Sequence, residues 1–389
     1  DTLGSGKIPP IKAGPFGSSL TKDMYVPDGY KIYGQEQVIR GDYLYGDYFI
    51  SKEKYKELES CSVKPGDILL SLVGTAGKVL VIPEGAPEGI INPRLIRFSF
   101  DKKSVISIFF KTLFETQHFQ SLLSRQAQGG TMGVLNASML RPMVIPVPPL
   151  PEQHAIAAAL SDVDALLNSL DALIAKKRLV KQGAMQELLT PPSAAGQAGK
   201  KRLVESGKWE VKPLSEIAEI IMGQSPSSTY YNKKGDGLPL IQGNADISNR
   251  QTIKRVFTTQ VTKFGRSGDV LMSVRAPVGE ISRAVFDVCL GRGVCAIRYP
   301  NDFLYHYLIF KEPTWAKLSK GSTFDAVNSA DVKAFPIEIP TNETEQTAIA
   351  EILSDMDAKI SALEQKREKT RLLKQGMMQE LLTGRIRLT

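Results

Sequence analysis

KQGAMQELLT at residues 181–190 returns, with one substitution, as KQGMMQELLT at residues 374–383. Extended backwards without a gap, residues 152–190 align with 345–383 at an offset of 193, and 23 of the 39 positions are identical. Agreement of that length and density is an internal duplication. It sets the architecture before any single residue is read.

Each copy has helical periodicity. Ile156, Leu160, Val163, Leu167, Leu170 and Ile174 alternate spacings of four and three, and Ile349, Leu353, Met356, Ile360 and Leu363 repeat the pattern. This is the a/d seam of a coiled coil, so these residues are expected to hold helix against helix or helix against a partner. Neither copy contains a proline, and Ala, Glu, Lys, Leu and Gln dominate, as a long helix requires. Glu152 and Glu345 lie in the first turns, with Lys176, Lys177, Arg178, Arg371 and Lys374 toward the far ends, as the helix dipole favours. A helix of about 38 residues spans roughly 57 Å, wider than a small domain. Two ordinary helices lying on their own domains are therefore the weaker alternative. The same register puts Lys177, Lys181, Arg367 and Lys374 on seam positions. That points to an acidic or polar surface facing each distal half, such as another protein; solvated lysines on a fraying helix are the alternative.

The rest of the chain repeats more loosely. Gly66-Asp67-Ile68-Leu69-Leu70-Ser71 corresponds to Gly268-Asp269-Val270-Leu271-Met272-Ser273, followed by Gly77 and Gly279. A Gly-Asp turn before an apolar run marks the start of a strand. Gly129-Gly130-Thr131 with Asn136 matches Gly321-Ser322-Thr323 with Asn328, and β-rich, proline-ended runs at 144–148 and 336–340 precede the helices. The expected fold is α+β: two mixed globular domains separated by two long antiparallel helices, with a pseudo-twofold repeat. The expected order is domain one at 1–150, helix one at 151–190, a linker at 191–206, domain two at 207–341, helix two at 342–384 and a tail at 385–389. The linker contains PPSAAGQA (191–198), small and breaker-rich, and should be flexible. GKWEVKPL (207–214) opens domain two, whereas a matching stretch for domain one would fall before Asp1 and no initiator methionine is present. The start of domain one therefore stays open, a trimmed or processed start being one reading and an incomplete one another.

Composition bounds the class. Of 389 residues, 42% are hydrophobic and 23% charged, which excludes disorder for the bulk of the chain. No run of about 18 apolar residues suggests a membrane span, and no signal peptide is evident. Cys61, Cys289 and Cys295 make no disulfide scaffold and suit a reducing cytoplasm. The net charge is +8. Its surplus sits in residues 1–150 (+3), 191–206 (+2) and 207–340 (+4). This favours an acidic partner such as nucleic acid, although many ordinary proteins are as basic.

The recurring pattern E-Q-x-A-I-A, L-S-D-x-D and K-Q-G-x-M-Q-E-L-L-T, with GPFGSSL at 14–20 and Gly-Asp-[Ile/Val]-Leu-x-Ser twice, resembles the specificity subunits of type I restriction-modification systems. The resemblance covers essentially the whole chain. It implies two target recognition domains, each reading one half of a split site on double-stranded DNA. It implies two antiparallel helices that fix the distance between the domains and dock two modification (methyltransferase) subunits, joined by restriction/translocase subunits. S-adenosylmethionine, ATP and Mg would then sit on the partners, and this chain would hold no cofactor. Because the two domains differ in sequence, the site should be asymmetric.

An enzyme is the alternative, either a stand-alone DNA methyltransferase or a nuclease of unfamiliar type. Its chemistry is not evident. His118, His154 and His306 are isolated, and Cys289 and Cys295 form no CxxC pair; both cysteines read better as buried strand residues. Gly4-Ser5-Gly6-Lys7 and the run 74–78 lack the hydroxyl residue of a phosphate loop. Asn92-Pro93-Arg94-Leu95 lacks the second proline and the aromatic ring that would stack a flipped base. Asp162/Asp164 and Asp355/Asp357 lie on the helices, where capping or solvation is expected.

Base reading needs Arg, Lys, Asn, Gln, Ser or Thr at base edges, and phosphate binding needs Lys or Arg. In domain one the candidates are Lys22, Gln35, Gln37, Arg40, Tyr43, Tyr45, Ser71, Thr75 and Thr131. In domain two they are Lys233, Lys234, Gln242, Asn244, Arg250, Ser273, Arg275 and Thr323, with Tyr230 and Tyr231 just before. For any one of them, an ordinary loop role is equally compatible. No catalytic or metal-binding residue is expected.

Overall fold

A computed structural model describes residues 9–72, 77–128, 136–192, 207–319 and 326–388. The chain divides into two compact units, Asp1–Asp171 with Gln365–Thr389, and Ala172–Glu364. The two cuts, after Asp171 and after Glu364, fall at equivalent positions of the repeat.

Both units are built on the same pair of sheets. In the first, Ile11–Ala13, Leu95–Phe98, Ile68–Ser71 and Val79–Val81 lie side by side in that order, all antiparallel. A second sheet runs Tyr25–Val26, Phe49–Ile50, Tyr30–Tyr33, Gly89–Ile91 and Ser62–Val63, and Tyr30–Tyr33 is parallel to Gly89–Ile91. In the second unit, Glu219–Met222, Val294–Arg298, Val270–Ser273 and Ile281–Arg283 repeat the first order, extended by Gln251–Thr252 and Ile247–Ser248. Tyr231–Asn232, Phe257–Thr258, Leu238–Ile241, Val288–Leu290 and Phe264–Gly265 repeat the second, again with the middle pair parallel.

The Gly-Asp motif is a corner. Gly66 (φ 91°) and Gly268 (φ 95°) occupy the left-handed region, which a side chain disfavours. The turn swings the next carboxylate inward. Asp67 accepts from the Lys64 N–H (2.8 Å) and the Ser99 hydroxyl (2.5 Å), beside Arg97. Asp269 accepts from the Arg266 N–H (2.8 Å) and Arg298 Nε (2.9 Å). A buried carboxylate is tolerable only with such partners, so each corner is tied to an arginine on a neighbouring strand.

Short sheets leave a core that helices must finish. In the first unit, Ile68, Leu70 and Phe98 pack with Phe109, Phe110 and Leu113, and Ile156, Leu160, Leu381 and Leu382 of the long helices close the same cluster. In the second, Val270, Met272 and Ile297 pack with Phe303, Leu304 and Tyr307, closed by Ile349, Leu353, Leu188 and Leu189. The closing residues are equivalent at the repeat offset. Ile156, Leu160, Ile349 and Leu353, read from their spacing as a helix seam, are therefore core residues of the domains. Heptad spacing identifies the apolar stripe of a helix but not what lies opposite it.

The long helices, Leu150–Leu188 and Glu343–Leu382, pack together. Each unit holds the first half of one and the second half of the other. In the first unit Lys374 pairs with Asp164 at 2.7 Å and Arg367 pairs with Asp171. In the second, Lys181 pairs with Asp357 and Arg178 with Glu364, both at 2.5 Å. Numbers rise along one helix as they fall along the other, so each contact is antiparallel. Leu170, Ile174 and Ile360 are buried, while Val163, Leu167, Met356 and Leu363 are half-buried. These pairs correct two readings. The acidic surface facing Lys181, Arg367 and Lys374 is the other long helix, not an outside protein. Asp164 and Asp357 are its acidic side, not solvated caps. Lys177 remains exposed.

A third correction concerns the proline-ended runs. Pro336–Pro340 is a strand, paired antiparallel with Trp209–Pro213. Residues 144–148 form no strand, and Val144 is 94% exposed. A strand needs a ladder partner, and the described residues of the first unit supply none there. Residues 193–206, most of the expected linker, lie outside the described residues. Among the described residues no helix is long and apolar enough to cross a membrane.

Candidate nucleic-acid interface

In the first unit the strand Tyr30–Tyr33 runs into a short helix, Gln35–Arg40, and then a loop at 41–48. Two inward-facing side chains shape that loop. Gln37 is buried; its Oε1 accepts from the Gly34 N–H (2.9 Å) and its Nε2 donates to the Tyr45 carbonyl (2.7 Å). Lys31 is also buried and donates to the carbonyls of Leu44 (3.1 Å) and Gly46 (2.8 Å). Burial lowers the Lys31 pKa, against the pull of Asp47 and Asp42. The outer side carries Arg40, whose guanidinium lies 4.1 Å from the Tyr45 ring centre, with Leu44 and Tyr48 exposed beside it. Tyr43 is half-buried against the sheet core, and Gln35 is half-buried in the first helical turn. Lys22 is exposed in the turn Lys22–Met24. Gln37 is thus a builder of the loop, and Arg40 and Tyr45 are its surface. Ser71 is buried and accepts from the Lys78 N–H (3.1 Å). Thr75 and Thr131 lie outside the described residues.

In the second unit the candidates flank the equivalent strand, Leu238–Ile241, on both sides. Asn232 Oδ1 accepts from the N–H groups of Lys234, Gly235 and Asp236, an Asx-type turn. That turn holds Lys233 and Lys234 exposed at its tip. Gln242 is exposed and donates to the Tyr231 hydroxyl (2.8 Å), and Tyr230 is exposed nearby. The Asn244 amide bonds Glu280. Asn249 (φ 49°) and Arg250 (φ 61°) form the reversal between Ile247–Ser248 and Gln251–Thr252. Asparagine suits that conformation and arginine does not. Arg250 is held there by the Ile281 carbonyl (2.9 Å) and Glu312 (2.9 Å), and its pKa is raised chiefly by the Glu312 bond. Glu312 also accepts from the Ile281 N–H (2.9 Å). Arg250 therefore staples the hairpin rather than presenting a free guanidinium. Ser273 is buried and donates to the Arg275 carbonyl (2.7 Å). Arg275 is exposed beyond it and forms no ion pair among the described residues. Thr323 lies outside the described residues. A cavity of about 310 Å³ opens between these loops, lined by Asn244, Asn249, Ser273, Glu280, Ser282 and Glu312.

Some surface residues escape a reading by motif. Lys263, Arg266 and Arg292 are exposed without an ion pair among the described residues, and they lie outside the quoted motifs. On the long helices, Leu179, Val180, Leu372 and Leu373 are 68, 51, 52 and 59% exposed. They are equivalent pairs of the repeat, outside the a/d register, so the duplication itself was the signal.

Cys61, Cys289 and Cys295 are buried and free, the last two in strands as expected, and burial pushes the Cys295 thiol up to about 12. His306 is buried with Nε2 3.0 Å from the Ser354 hydroxyl; burial, then Lys181, lowers its pKa to about 4. No group of His, Cys, Asp or Glu that could hold a metal occurs among the described residues. What the loops offer is exposed cations, amides and aromatic rings, the chemistry of a polyanion reader.

Residues 8–177 and 206–372 each match the family described as "Type I restriction modification DNA specificity domain". The chain belongs to this family. It is the DNA specificity subunit of a type I system, with two target recognition domains, and is itself non-catalytic. It is 32% identical over 358 residues to the "Putative type I restriction enzyme MjaX specificity subunit" of Methanocaldococcus jannaschii, covering 87% of this chain and 83% of that protein. A solved structure described as "Structural basis underlying complex assembly and conformational transition of the type I R-M system" is 26% identical, with a TM-score of 0.56 over 82% of both chains. The type I restriction-modification S subunit from M. genitalium shares the fold at 15% identity, with a TM-score of 0.58 over 96% of this chain and 93% of that one.

Proposed function

We propose that each recognition domain of this specificity subunit reads one half of a split, asymmetric site on double-stranded DNA. The observation that carries this is the pairing of one framework with two surfaces. Four strands of one sheet and five of the other recur in the same order in both units, while the loops leaving them present Arg40 and Tyr45 in one unit and Lys233, Lys234, Gln242 and Arg275 in the other. Like frameworks suit like grooves, and unlike edges suit unlike bases. The domain limits follow the repeat: 1–150 and 207–341 read, 151–190 and 342–384 space, 191–206 links and 385–389 ends the chain.

The long helices set the separation of the two readers on a duplex that turns every 34–36 Å. Their exposed pairs, Leu179–Val180 and Leu372–Leu373, dock two modification subunits, one per copy. Restriction/translocase subunits join that assembly in the cytoplasm. S-adenosylmethionine, ATP and Mg belong to the partners.

The test is the methylated-site profile of the complex with its modification subunits. One split motif with unlike halves is expected, and DNA affinity should fall steeply with salt. A continuous or palindromic motif would refute the reading, as would methyl transfer by the chain alone with S-adenosylmethionine.

A further inference from the structure

Glu152 and Glu345 are the same residue of the repeat, and both are buried in the first turn of their helices. Each holds a segment of chain that lies outside its own helix. In the second unit Glu345 accepts from the Gly207 N–H (2.8 Å) and Trp209 Nε1 (3.1 Å), where the chain enters the domain that this helix serves. In the first unit Glu152 accepts from Arg387 Nε (2.6 Å) and Nη2 (2.5 Å) and from the Leu388 N–H (3.3 Å). Leu388, with Met377 and Met378, also packs on the first domain's core. In the first unit the residues that follow the second long helix are thus fastened to the buried first turn of the other long helix.

What lies next to Glu152 connects this clamp to the two strands, Ile68–Ser71 and Val79–Val81, on which the helix that carries Arg40 packs. Gln153 is fully buried; it accepts from the Ile106 N–H (3.0 Å) and donates to the carbonyls of Ser104 and Pro148 (2.8 Å each). Those bonds fix the start of the helix Ser107–Phe114, whose Phe109, Phe110 and Leu113 back the sheet. In the following helix, Gln120 Nε2 donates to the Gly77 carbonyl (3.1 Å). Gly77 itself closes the hairpin onto the Ser71 carbonyl (2.9 Å).

We propose that the C-terminal tail is a working part of the first recognition domain, and that Arg387 is a positioning residue for reading that domain's half-site, acting through Glu152. The half-site in this statement rests on the function proposed above. The test uses the full chain with its modification subunits and two readouts. In the methylated-site profile, Arg387→Ala should lower discrimination roughly tenfold in one half of the motif only, the half left unchanged when residues 207–340 are exchanged. Arg387→Lys should fall between, since lysine cannot make the two-pronged bond. The reversed pair Glu152→Arg with Arg387→Glu should restore discrimination. Equal loss in both halves, or none, overturns the proposal. The second readout does not involve DNA: amide exchange in Arg387→Ala should quicken across 104–123 and stay unchanged across 299–315. If the wild type shows no split motif, the functional reading fails while exchange still decides the tail. Unchanged exchange at 104–123 overturns the tail's role whatever the motif.

Discussion

Along the long helices the two halves of this chain are almost interchangeable; in the loops that leave the sheets they are not. Lys374 with Asp164 and Lys181 with Asp357 are one contact made twice, and the core positions of Ile156 and Leu381 recur as Ile349 and Leu188. Past the strand Tyr30–Tyr33, by contrast, the chain builds a helix and an aromatic loop, while past Leu238–Ile241 it builds a tight turn and a hairpin. The difference follows from what each residue must satisfy. A helix residue answers to the other helix, whose matching position is a copy of a position on its own. A change at one place must suit two. A loop residue that ends in solvent answers only to the ligand it meets.

The largest effect expected from that contrast is in the shared core. Ile349→Asp buries an unpaired carboxylate at a fully buried position and should remove about 4 kcal/mol or more from the second unit. Leu167→Asp, at a half-buried helix position, should cost far less. Denaturant titration of the full chain with unit-resolved amide exchange checks both. Comparable losses would mean that the helix–helix face, rather than the helix–domain face, carries the stability.

A second test uses a place where the units differ. Of the three histidines only His306 is buried, between its own domain and the long helix that carries Ser354. Its folded pKa, lowered to about 4 mainly by burial, lies below the unfolded value near 6.5. Between those values the unfolded chain binds the proton and the native one does not. Stability is therefore full above about pH 6.5 and is lost as the pH falls toward 4, by about 3 kcal/mol in all. The loss should appear in the second unit alone, and His306→Gln should flatten it. Equal acid sensitivity in both units would trace the effect to carboxylates instead.

The loops give the third test. Arg275→Ala should cost about 1–3 kcal/mol of discrimination in one half-site, with the folding midpoint unchanged, because the side chain is exposed. Arg250→Ala should do the reverse. It removes the staple on Glu312 and the Ile281 carbonyl, so stability falls first. Parallel binding and melting curves separate the two arginines.

How much of this is legible in the sequence follows the same division. The helices are legible because period and duplication are both carried by residue order alone. The Gly-Asp corners are legible because glycine takes the left-handed turn at Gly66 and Gly268 without steric cost. The site is legible only as a neighbourhood. Side chains that read bases are the same ones that satisfy buried backbone groups, and Gln37, Ser71 and Ser273 do the latter. Arg250 meets Glu312, 62 residues away in sequence, and no spacing rule announces that. The acidic partners of Lys181 and Lys374 are hidden for a related reason, since each sits on the other copy of the repeat.

The smallest expected effect tests the equivalence of the helices most directly. Lys374 and Asp164 are 19% and 48% exposed, Lys181 and Asp357 14% and 43%. Pairs with one open partner are weak, and double-mutant cycles on each should give coupling of about 0.5 kcal/mol, shrinking with salt. The informative quantity is the difference between the two cycles. Matched geometry and matched exposure predict couplings equal within experimental error. His306 adds one asymmetry, because its ring lies 3.9 Å from Asp357. Toward pH 4 its protonated form competes with Lys181 for that carboxylate, whereas Asp164 has no histidine among its ion-pair partners in the described residues. Equal couplings at neutral pH that separate on acidification, with the Lys181 pair falling first, would establish both the equivalence of the helices and the one place where it breaks. Unequal couplings at neutral pH would show that the duplicated contact has already come to differ in energy while keeping its geometry.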